Sequence, residues 1–405
     1  MLAAVSSTLC SVSGPCAGSE FRDPDDGAFD LSEFLLNHRG VLPVPDVITE
    51  PAIGYGLGVG LLYFSMPKRS DAEGAHSASE PSAGDTGATG QNATDKGQTE
   101  SSTGNPKPAD AQDGASKTFA PPNITGLGLF GTGTHSWGAG LAHFHTWDDD
   151  SIRYLGVIGK VSLHLNYYGF LDNPHSYQLD GIAVVQQVLF RIGDSRWYIG
   201  PRYTYFDTAT RFGPILPEGI HNYEADERIG KGGLVIDYDT RDNMFYPNRG
   251  TYAEFEADVA RSGLGSSTDF EMESARAYQW ITLAKEWVLG LRFDSGFSQG
   301  NIPFFAQPYV SLRGVADAHY QDRNQVTTEA ELHWKFTPRW SVLFFGGVGR
   351  AYGNVHSFSD APTAFGVGTG FRYLIARKLG ISMGLDVAHG PGQNAIYVQV
   401  GSAWR

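Results

Sequence analysis

Residues 232–405 are built mainly from segments in which apolar and polar side chains alternate with a period of two. In 251–259, one face carries Ala253, Phe255, Ala257 and Val259, and the other carries Glu254, Glu256 and Asp258. In 326–336, one face carries Thr328, Ala330, Leu332, Trp334 and Phe336, and the other carries Glu329, Glu331, His333 and Lys335. This period predicts strands that have one apolar and one charged face.

A sheet of such strands must cover its apolar face. No amphipathic helix of useful length remains in the sequence to cover it, and no apolar run approaches the ~18 residues of a membrane-spanning helix. A closed barrel with lipid outside and a polar lumen satisfies both faces. We therefore predict an all-β fold, a transmembrane antiparallel β-barrel with sixteen strands, or fourteen as the alternative. The aromatic content of 13% suits the girdles at the two membrane interfaces of such barrels.

The alternation and the turn residues place fourteen strands after residue 122. They are predicted at 124–133, 136–147, 152–168, 177–192, 196–209, 230–242, 251–261, 270–283, 287–299, 325–337, 340–351, 362–377, 380–389 and 395–405. Short turns such as 148–150 and 337–338 alternate with longer connections such as 301–324. Bacterial outer-membrane barrels have short periplasmic turns and long surface loops, so we expect 301–324 at the cell surface.

The remaining sequence divides into four segments. Residues 1–22 form a signal-peptide-like leader, 23–52 a short periplasmic segment with one short helix after Asp30, and 53–65 a possible first strand. Residues 66–122 are a low-complexity insert that we predict to be disordered and removable, because it lacks the apolar residues needed to pack. The barrel itself is 123–405. Counting 53–65 gives fifteen strands, so either this segment is not part of the wall or 208–228 hides one more.

Composition and motifs exclude several functions. The net charge of −14 argues against nucleic acid as a partner, since phosphate binding needs a basic surface. The two cysteines, Cys10 and Cys16, cannot build a disulfide framework or a metal site. We predict that the chain is not an enzyme and that it has no catalytic residue, cofactor or metal site. An outer-membrane hydrolase is an alternative, but it would need a nucleophile motif, and none accompanies the histidines on or beside the strands: His143, His145, His164, His333 and His389.

Two local patterns carry more information. The first is a lumen charge motif of Asp237, Asp239, Arg241 and Asp242, followed by a turn that contains Pro247 and Gly250. The second is Arg313-Gly314 in the long connection 301–324.

Together with their spacing and the strands that follow, these patterns resemble the bacterial surface antigen superfamily, which includes BamA, TamA and the two-partner secretion transporters. The resemblance implies that the Arg313-Gly314 loop folds back into the barrel and that Arg313 meets Glu331 on the next strand. The sequence departs from the family at Gly347, where the family has a second carboxylate. Asp294 or Asp386, both predicted to face the lumen, are candidates to replace it.

The resemblance also implies a function. Few residues precede the barrel, so the chain resembles the subgroup that lacks POTRA domains. Trp404 matches the outward aromatic that serves as an assembly signal in the last strand of such barrels. The implied function is insertion or translocation of protein or lipid at a weak seam between the first and last strands, in the bacterial outer membrane. The implied partners are membrane lipid, unfolded outer-membrane or secreted proteins, and the machinery that inserts the barrel. A passive pore or structural barrel is the alternative.

Overall fold

The computed structural model describes residues 21–37, 41–49, 52–65, 121–167, 175–212 and 224–404. Residues 1–20 of the predicted leader, and residues 66–120 of the predicted insert, lie outside these ranges. No helix within them is long and apolar enough to cross a membrane.

The described residues contain one short helix and sixteen strands. The helix α1 is Ser32–Asn37, and the strands are β1 Val41–Ile48, β2 Gly56–Ser65, β3 Asn123–Thr132, β4 Trp137–Trp147, β5 Ile152–Tyr167, β6 His175–Arg191, β7 Trp197–Phe212, β8 Glu224–Asp239, β9 Gly250–Ala260, β10 Phe270–Ala284, β11 Trp287–Gly300, β12 Asn324–Trp334, β13 Trp340–Tyr352, β14 Ala364–Ala376, β15 Ile381–Gly390 and β16 Gln393–Val400. Three 3-10 turns lie at Ser262–Leu264, Phe304–Ala306 and Arg377–Leu379.

The strands form one antiparallel sheet in which every strand pairs with its neighbours in sequence, from β1 to β16. The sheet curls into a nearly closed barrel, and β1 and β16 meet at a seam. This confirms the predicted all-β barrel and its sixteen strands.

The two faces of the wall carry different side chains, as the period of two predicted. On β9, Phe255 points outward with 44% of its surface exposed, whereas Glu254 and Glu256 point inward and are buried. Tryptophans at the short-turn ends of the strands, including Trp147, Trp197, Trp334 and Trp340, are exposed on the outer surface. An outer apolar band with an aromatic edge is the surface that a bilayer requires.

The sixteenth strand lies at the N-terminal side of the barrel. Val41–Ile48, which was assigned to the periplasmic segment 23–52, pairs along its whole length with β2. The prediction for 53–65 holds, since Gly56–Ser65 is β2. In 208–228, the described residues form only the ends of β7 and β8.

Residues 21–37, which we call the N-terminal strap, pack across the seam at the short-turn end of the barrel. Leu35 of α1 is buried in a cluster that draws on both sides of the seam: Leu42 and Phe64 from β1 and β2, and Ala376, Leu379 and Ile381 from β14, its turn and β15. The Leu31 amide N–H donates to the Ile375 carbonyl at 2.7 Å. The strap thus joins the two ends of the sheet.

Charged contacts fasten the same strap. Arg339, in the turn between β12 and β13, donates to Asp23 at 2.6 Å and to Asp26 at 2.7 Å, and also binds Asp30. Arg377 donates to Asp23 at 2.5 Å. The hydrogen bond from Arg339 lowers the pKa of Asp26 to about 2, and the one from Arg377 lowers the pKa of Asp23.

Candidate functional site

The connection between β11 and β12, residues 301–323, folds against the inner face of the barrel wall. Its residues Val310, Leu312 and Val315 are buried with Ala351 of β13 and Ala364 of β14. The Val310 N–H donates to the Tyr320 carbonyl at 2.9 Å, which closes the loop on itself. The loop is therefore a packed part of the barrel interior.

Arg313 is the centre of this docked loop. Its Nε donates to Glu329 Oε1 at 2.9 Å, its Nη2 lies 2.6 Å from Glu331 Oε2, and its Nη1 donates to Asp386 Oδ2 at 2.9 Å. The guanidinium carbon lies 3.5 Å above the ring of Phe345. Only 7% of the Arg313 side chain is exposed. A planar fork with several donors can engage carboxylates from two strands, which a single ammonium group cannot match.

Further cations balance the three carboxylates around Arg313. Arg372 of β14 donates to both oxygens of Asp386, at 2.5 and 2.9 Å. Arg292 of β11 donates to Glu329 Oε2 at 3.2 Å. A buried carboxylate is costly unless it is paired and hydrogen-bonded, and here each one has more than one partner.

Gly314 needs the backbone freedom of glycine. Its φ is +88°, a left-handed conformation that side chains disfavour. Its N–H donates to the Tyr397 hydroxyl at 3.0 Å, and its carbonyl accepts from Gln393 Nε2 at 3.1 Å. A Cβ on Gly390 would lie 2.0 Å from the Gly314 carbonyl oxygen, so glycine at 390 makes room for the loop. The loop is thereby attached to β16 as well as to β12.

The structure explains the missing carboxylate at Gly347. A Cβ on Gly347 would lie 2.6 Å from the Thr328 carbonyl oxygen and 2.7 Å from a methyl carbon of Leu312, so a side chain at this position would clash with β12 and with the docked loop. Of the two proposed replacements, Asp386 contacts Arg313, whereas Asp294 instead accepts from Arg292 at 2.5 Å.

Glu329 joins the loop to the C-terminal segment. One of its oxygens accepts from Arg313, and the other accepts from the indole N–H of Trp404 at 3.1 Å. Trp404 follows β16, is 3% exposed and packs beside Tyr278 and Trp280 inside the barrel. The expected outward position of Trp404 was therefore wrong, because the chain turns inward after β16 ends at Val400.

Most residues of the lumen charge motif lie on the inner face of the barrel, where the two-residue period of the strand predicted them. Asp237 and Asp239 point inward, and Arg153 of β5 lies 3.7 Å from the first and 3.3 Å from the second. Arg241 donates to both oxygens of Asp239 at 2.9 Å and stacks over Tyr252. These contacts link β5, β8 and β9 through the lumen.

Asp242 does not belong to that lumen network. It is exposed in the turn after β8, where its carboxylate accepts from the Asn248 N–H at 2.9 Å. Pro247 lies in the same turn, and Gly250 has a φ of +110° where β9 begins. A Cβ on Gly250 would lie 2.3 Å from the Thr240 carbonyl oxygen, so the turn requires glycine here.

The turn between β8 and β9 also contacts the carboxylate site around Arg313 from the short-turn end of the barrel. The Tyr246 hydroxyl hydrogen-bonds to His333 Nδ1 at 3.0 Å and to Ser341 at 2.7 Å, and His333 in turn binds Glu331. Burial raises the pKa of Tyr246 to about 12, which keeps the hydroxyl protonated. Asn243 Nδ2 donates to the Leu379 carbonyl at 3.1 Å. The turn therefore connects the Arg313 site with the short-turn rim.

Sequence reasoning missed four members of the site as partners: Glu329, Arg372, Tyr397 and the indole of Trp404. The alternation did place Glu329 on the lumen face, two residues from Glu331. That spacing signals two carboxylates on one strand face, for which a shared cation is the natural partner.

Residues 146–401, more than half of the chain, match the Omp85 superfamily domain. No curated protein sequence matches. BamA from Haemophilus ducreyi lacking POTRA domains 1–3 is similar in structure, with a TM-score of 0.53 at 11% identity over 89% of this chain and 70% of that one.

Two CdiB structures show the same fold. CdiB from Acinetobacter baumannii has a TM-score of 0.51 at 9% identity, covering 89% of this chain and 59% of its own. CdiB from Escherichia coli has a TM-score of 0.53 at 9% identity, covering 88% of this chain and 61% of its own. This chain thus spans about 60% of the CdiB chains that it matches.

Proposed function

The chain belongs to the Omp85 superfamily, and we propose that, in the bacterial outer membrane, it inserts or translocates protein or lipid at the seam between β1 and β16. In this proposal the barrel itself performs the insertion or translocation. The observation that supports it is the weak hydrogen bonding between β1 and β16 at the seam.

Each other pair of neighbouring strands is joined by a ladder of register partners, which is interrupted by local irregularities only in β6–β7, β10–β11 and β14–β15. Across the seam, the hydrogen bonds between described residues of the strand ends run through one side chain, the hydroxyl of Thr49. It donates to the Ile396 carbonyl and accepts from the Ile396 N–H at 2.6 Å. A sheet opens most easily where its ladder is weakest, because each backbone pair that is absent need not be broken.

A reversible lock at this seam tests the proposal. Thr49→Cys combined with Ile396→Cys, in a chain with Cys10→Ser and Cys16→Ser, places two thiols at the one bridged point. The purified barrel is reconstituted into vesicles, and the folding of an unfolded outer-membrane barrel is followed by heat-modifiable migration on gels. We expect the reduced form to accelerate folding, the oxidised form to lose the acceleration, and reductant to restore it.

A second cysteine pair controls for the effect of any disulfide. Val59→Cys with Leu129→Cys bridges β2 and β3, which are already paired in register at these positions. It should leave the acceleration unchanged when oxidised. A passive pore, the alternative function, would conduct ions in planar bilayers but would not accelerate folding in either state. Equal acceleration with the seam locked and unlocked would refute a seam mechanism.

The docked loop is proposed to stiffen the C-terminal part of the wall, on the β16 side of the seam. Arg313, Gly314 and Glu331, with Glu329 and Asp386, tie the loop to β12 and β15. With those strands held together, opening is directed to the seam rather than to another part of the wall.

A further inference from the structure

The inner face of the barrel beside the seam differs from the charged face around Arg313. Four glycines, Gly60, Gly128, Gly140 and Gly159, are direct register partners across β2, β3, β4 and β5. Val44 of β1 continues the row on the seam side. Because glycine has no side chain, this row leaves a hollow in the inner wall.

The hollow is part of a cavity of about 770 Å³. Apolar side chains surround the glycines, among them Leu62, Phe130 and Val157, and Phe245 lines the cavity from the turn after β8. Among the described residues that line it, Arg241 is the only charged one, and its guanidinium is already held by Asp239. Small-molecule sites have volumes of about 300–1,000 Å³ and mostly apolar linings, so this cavity has the size and chemistry of a site for a hydrocarbon group.

The cavity reaches the bilayer side of the seam. Its lining includes Pro45 of β1 and Val398 and Val400 of β16. The register places Pro45 and Val398 on the outer face, because their partners Val59 and Leu385 are exposed there. Val400 lies two residues after Val398 and therefore on the same face of β16. The cavity is thus continuous with the lipid-facing surface on both sides of the seam.

The edge of β1 at the seam is unsuited to a peptide strand. Partners run without a break from Val41 to Ile48 through Pro43 and Pro45, although proline has no N–H to donate. The ladder with β2 must therefore use the N–H groups of the alternate residues, which include Leu42 and Val44. The seam edge then has no N–H at Pro43 or Pro45, and strand addition there would lack donors in the middle of the ladder. A hydrocarbon chain needs no such donors.

We propose that the cavity binds an acyl chain of a membrane phospholipid, which enters from the bilayer between β1 and β16. This inference rests on the proposed function to the extent that the chain enters through the seam. A bound hydrocarbon chain fills the apolar hollow, which would otherwise be empty or face water. The chain itself moves only from the apolar core of the bilayer into the apolar cavity. The bound state is therefore expected to be reversible, as transport requires.

Photochemical labelling tests the site in the whole chain. The barrel is reconstituted into vesicles that contain phosphatidylcholine with a diazirine in one acyl chain, irradiated, and digested for mass spectrometry. We expect adducts on inner residues Leu62 and Phe130 as well as on the lipid-facing Leu129. Absence of inner adducts while Leu129 is labelled in the same sample would overturn the proposal.

Two leucine substitutions on one strand form a matched pair. A Cβ on Gly128 or on Gly131 meets nothing within 4 Å, but Gly128 faces the cavity and Gly131 faces outward. Gly128→Leu should lower the inner adducts roughly tenfold by filling the space of several methylene groups, and Gly131→Leu should leave them unchanged. Gly128→Ala should have a smaller effect. Heat-modifiable migration verifies that each variant folds, and unchanged inner adducts in folded Gly128→Leu would refute the site.

The outcomes separate this inference from the proposed function. Inner adducts without acceleration of client folding would leave the acyl site standing and remove the folding function. Acceleration without inner adducts would do the reverse. Absence of inner adducts from the lipid, together with labelling of Leu62 or Phe130 by an amphipathic strand peptide that carries the diazirine, would show that the cavity takes peptide and would overturn the lipid assignment.

Discussion

At the scale of single residues, Arg313 shows what a sequence pattern can and cannot specify. The period of two placed Glu331 and Glu329 on the lumen face, because face depends only on position along one strand. Asp386 lies 73 residues from Arg313 along the chain, and only the packing of the loop against β12, β13 and β15 brings them together. Sequence reasoning could therefore propose Asp386 as one of two replacements, but could not choose between them.

Substitution of Arg313 tests this site. Arg313→Ala leaves Glu329, Glu331 and Asp386 without their shared cation in a buried place, and breaking a buried pair costs about 3–5 kcal/mol. Arg313→Lys keeps the charge but loses the fork, so its effect should be intermediate. The measurement is the urea midpoint of unfolding in detergent or vesicles, together with proteolysis of loop 301–323.

Arg323→Ala is the matched control in the same loop. Its guanidinium donates to the Gly300 carbonyl at 3.0 Å in an exposed position, and a surface substitution of this kind changes stability by about 0.5 kcal/mol. Equal effects of Arg313→Ala and Arg323→Ala would mean that Arg313 is simply another loop charge.

At the scale of elements, fifteen strands, β2 to β16, were placed within six residues of their observed ends, and β1 was missed. The reason lies in Pro43 and Pro45, which argue against a strand because proline cannot donate to a ladder. An edge strand tolerates proline on its unpaired side, which is the arrangement at the seam. The alternation of side chains in the sequence cannot show which strand is at an edge. The sequence therefore could not show that 41–48 is a strand in spite of its prolines.

The N-terminal strap carries a prediction about pH. The pKa values of Asp23 and Asp26 are lowered in the folded chain, so their ion pairs contribute fully above the ordinary carboxyl pKa of about 4. The contribution is lost as pH falls from about 4 toward 2, since the unfolded strap then binds more protons. We expect hydrogen exchange of the Leu31 amide, corrected for the intrinsic rate, to lose protection over that window.

Two substitutions distinguish the ionic attachment of the strap from its hydrophobic attachment. Arg339→Ala removes the main cation that faces the strap carboxylates Asp23, Asp26 and Asp30, and should remove most of the pH dependence. Leu35→Ala should instead lower protection at every pH, because emptying a buried leucine site costs about 2–5 kcal/mol. Protection that stays constant from pH 6 to 2 in the unaltered chain would contradict the ionic attachment.

At the scale of the whole molecule, the barrel wall has two unlike halves. The inner face around β7 to β12 and β15 carries paired charges, as at Arg202 with Glu254 and Glu256. The inner face of β2 to β5 carries mainly glycine and apolar side chains, apart from Arg153 at the short-turn end of β5. The abundance of glycine was visible in the sequence. The alignment of four glycines into one row was not, because it depends on the register between strands.

Orientation in the membrane is tested on the whole barrel. The connections 353–363 and 192–196 lie at opposite ends of the strands, and loop length predicts that the first faces the cell exterior. With Cys10→Ser and Cys16→Ser as background, Ser359→Cys should react with an impermeant maleimide in intact cells. Asp194→Cys should react only after lysis. The reverse pattern would invert the orientation.

The linkage of Arg313 to Asp386 has a consequence for the order of folding. The loop leaves the sheet after β11, but one of its carboxylate partners arrives only with β15. A contact between distant parts of a chain can form only after the intervening segment has lost the conformational entropy that closing it into a loop requires. Docking of the loop is therefore a late kinetic event, and an ordered loop reports that the sheet has been completed at least as far as β15.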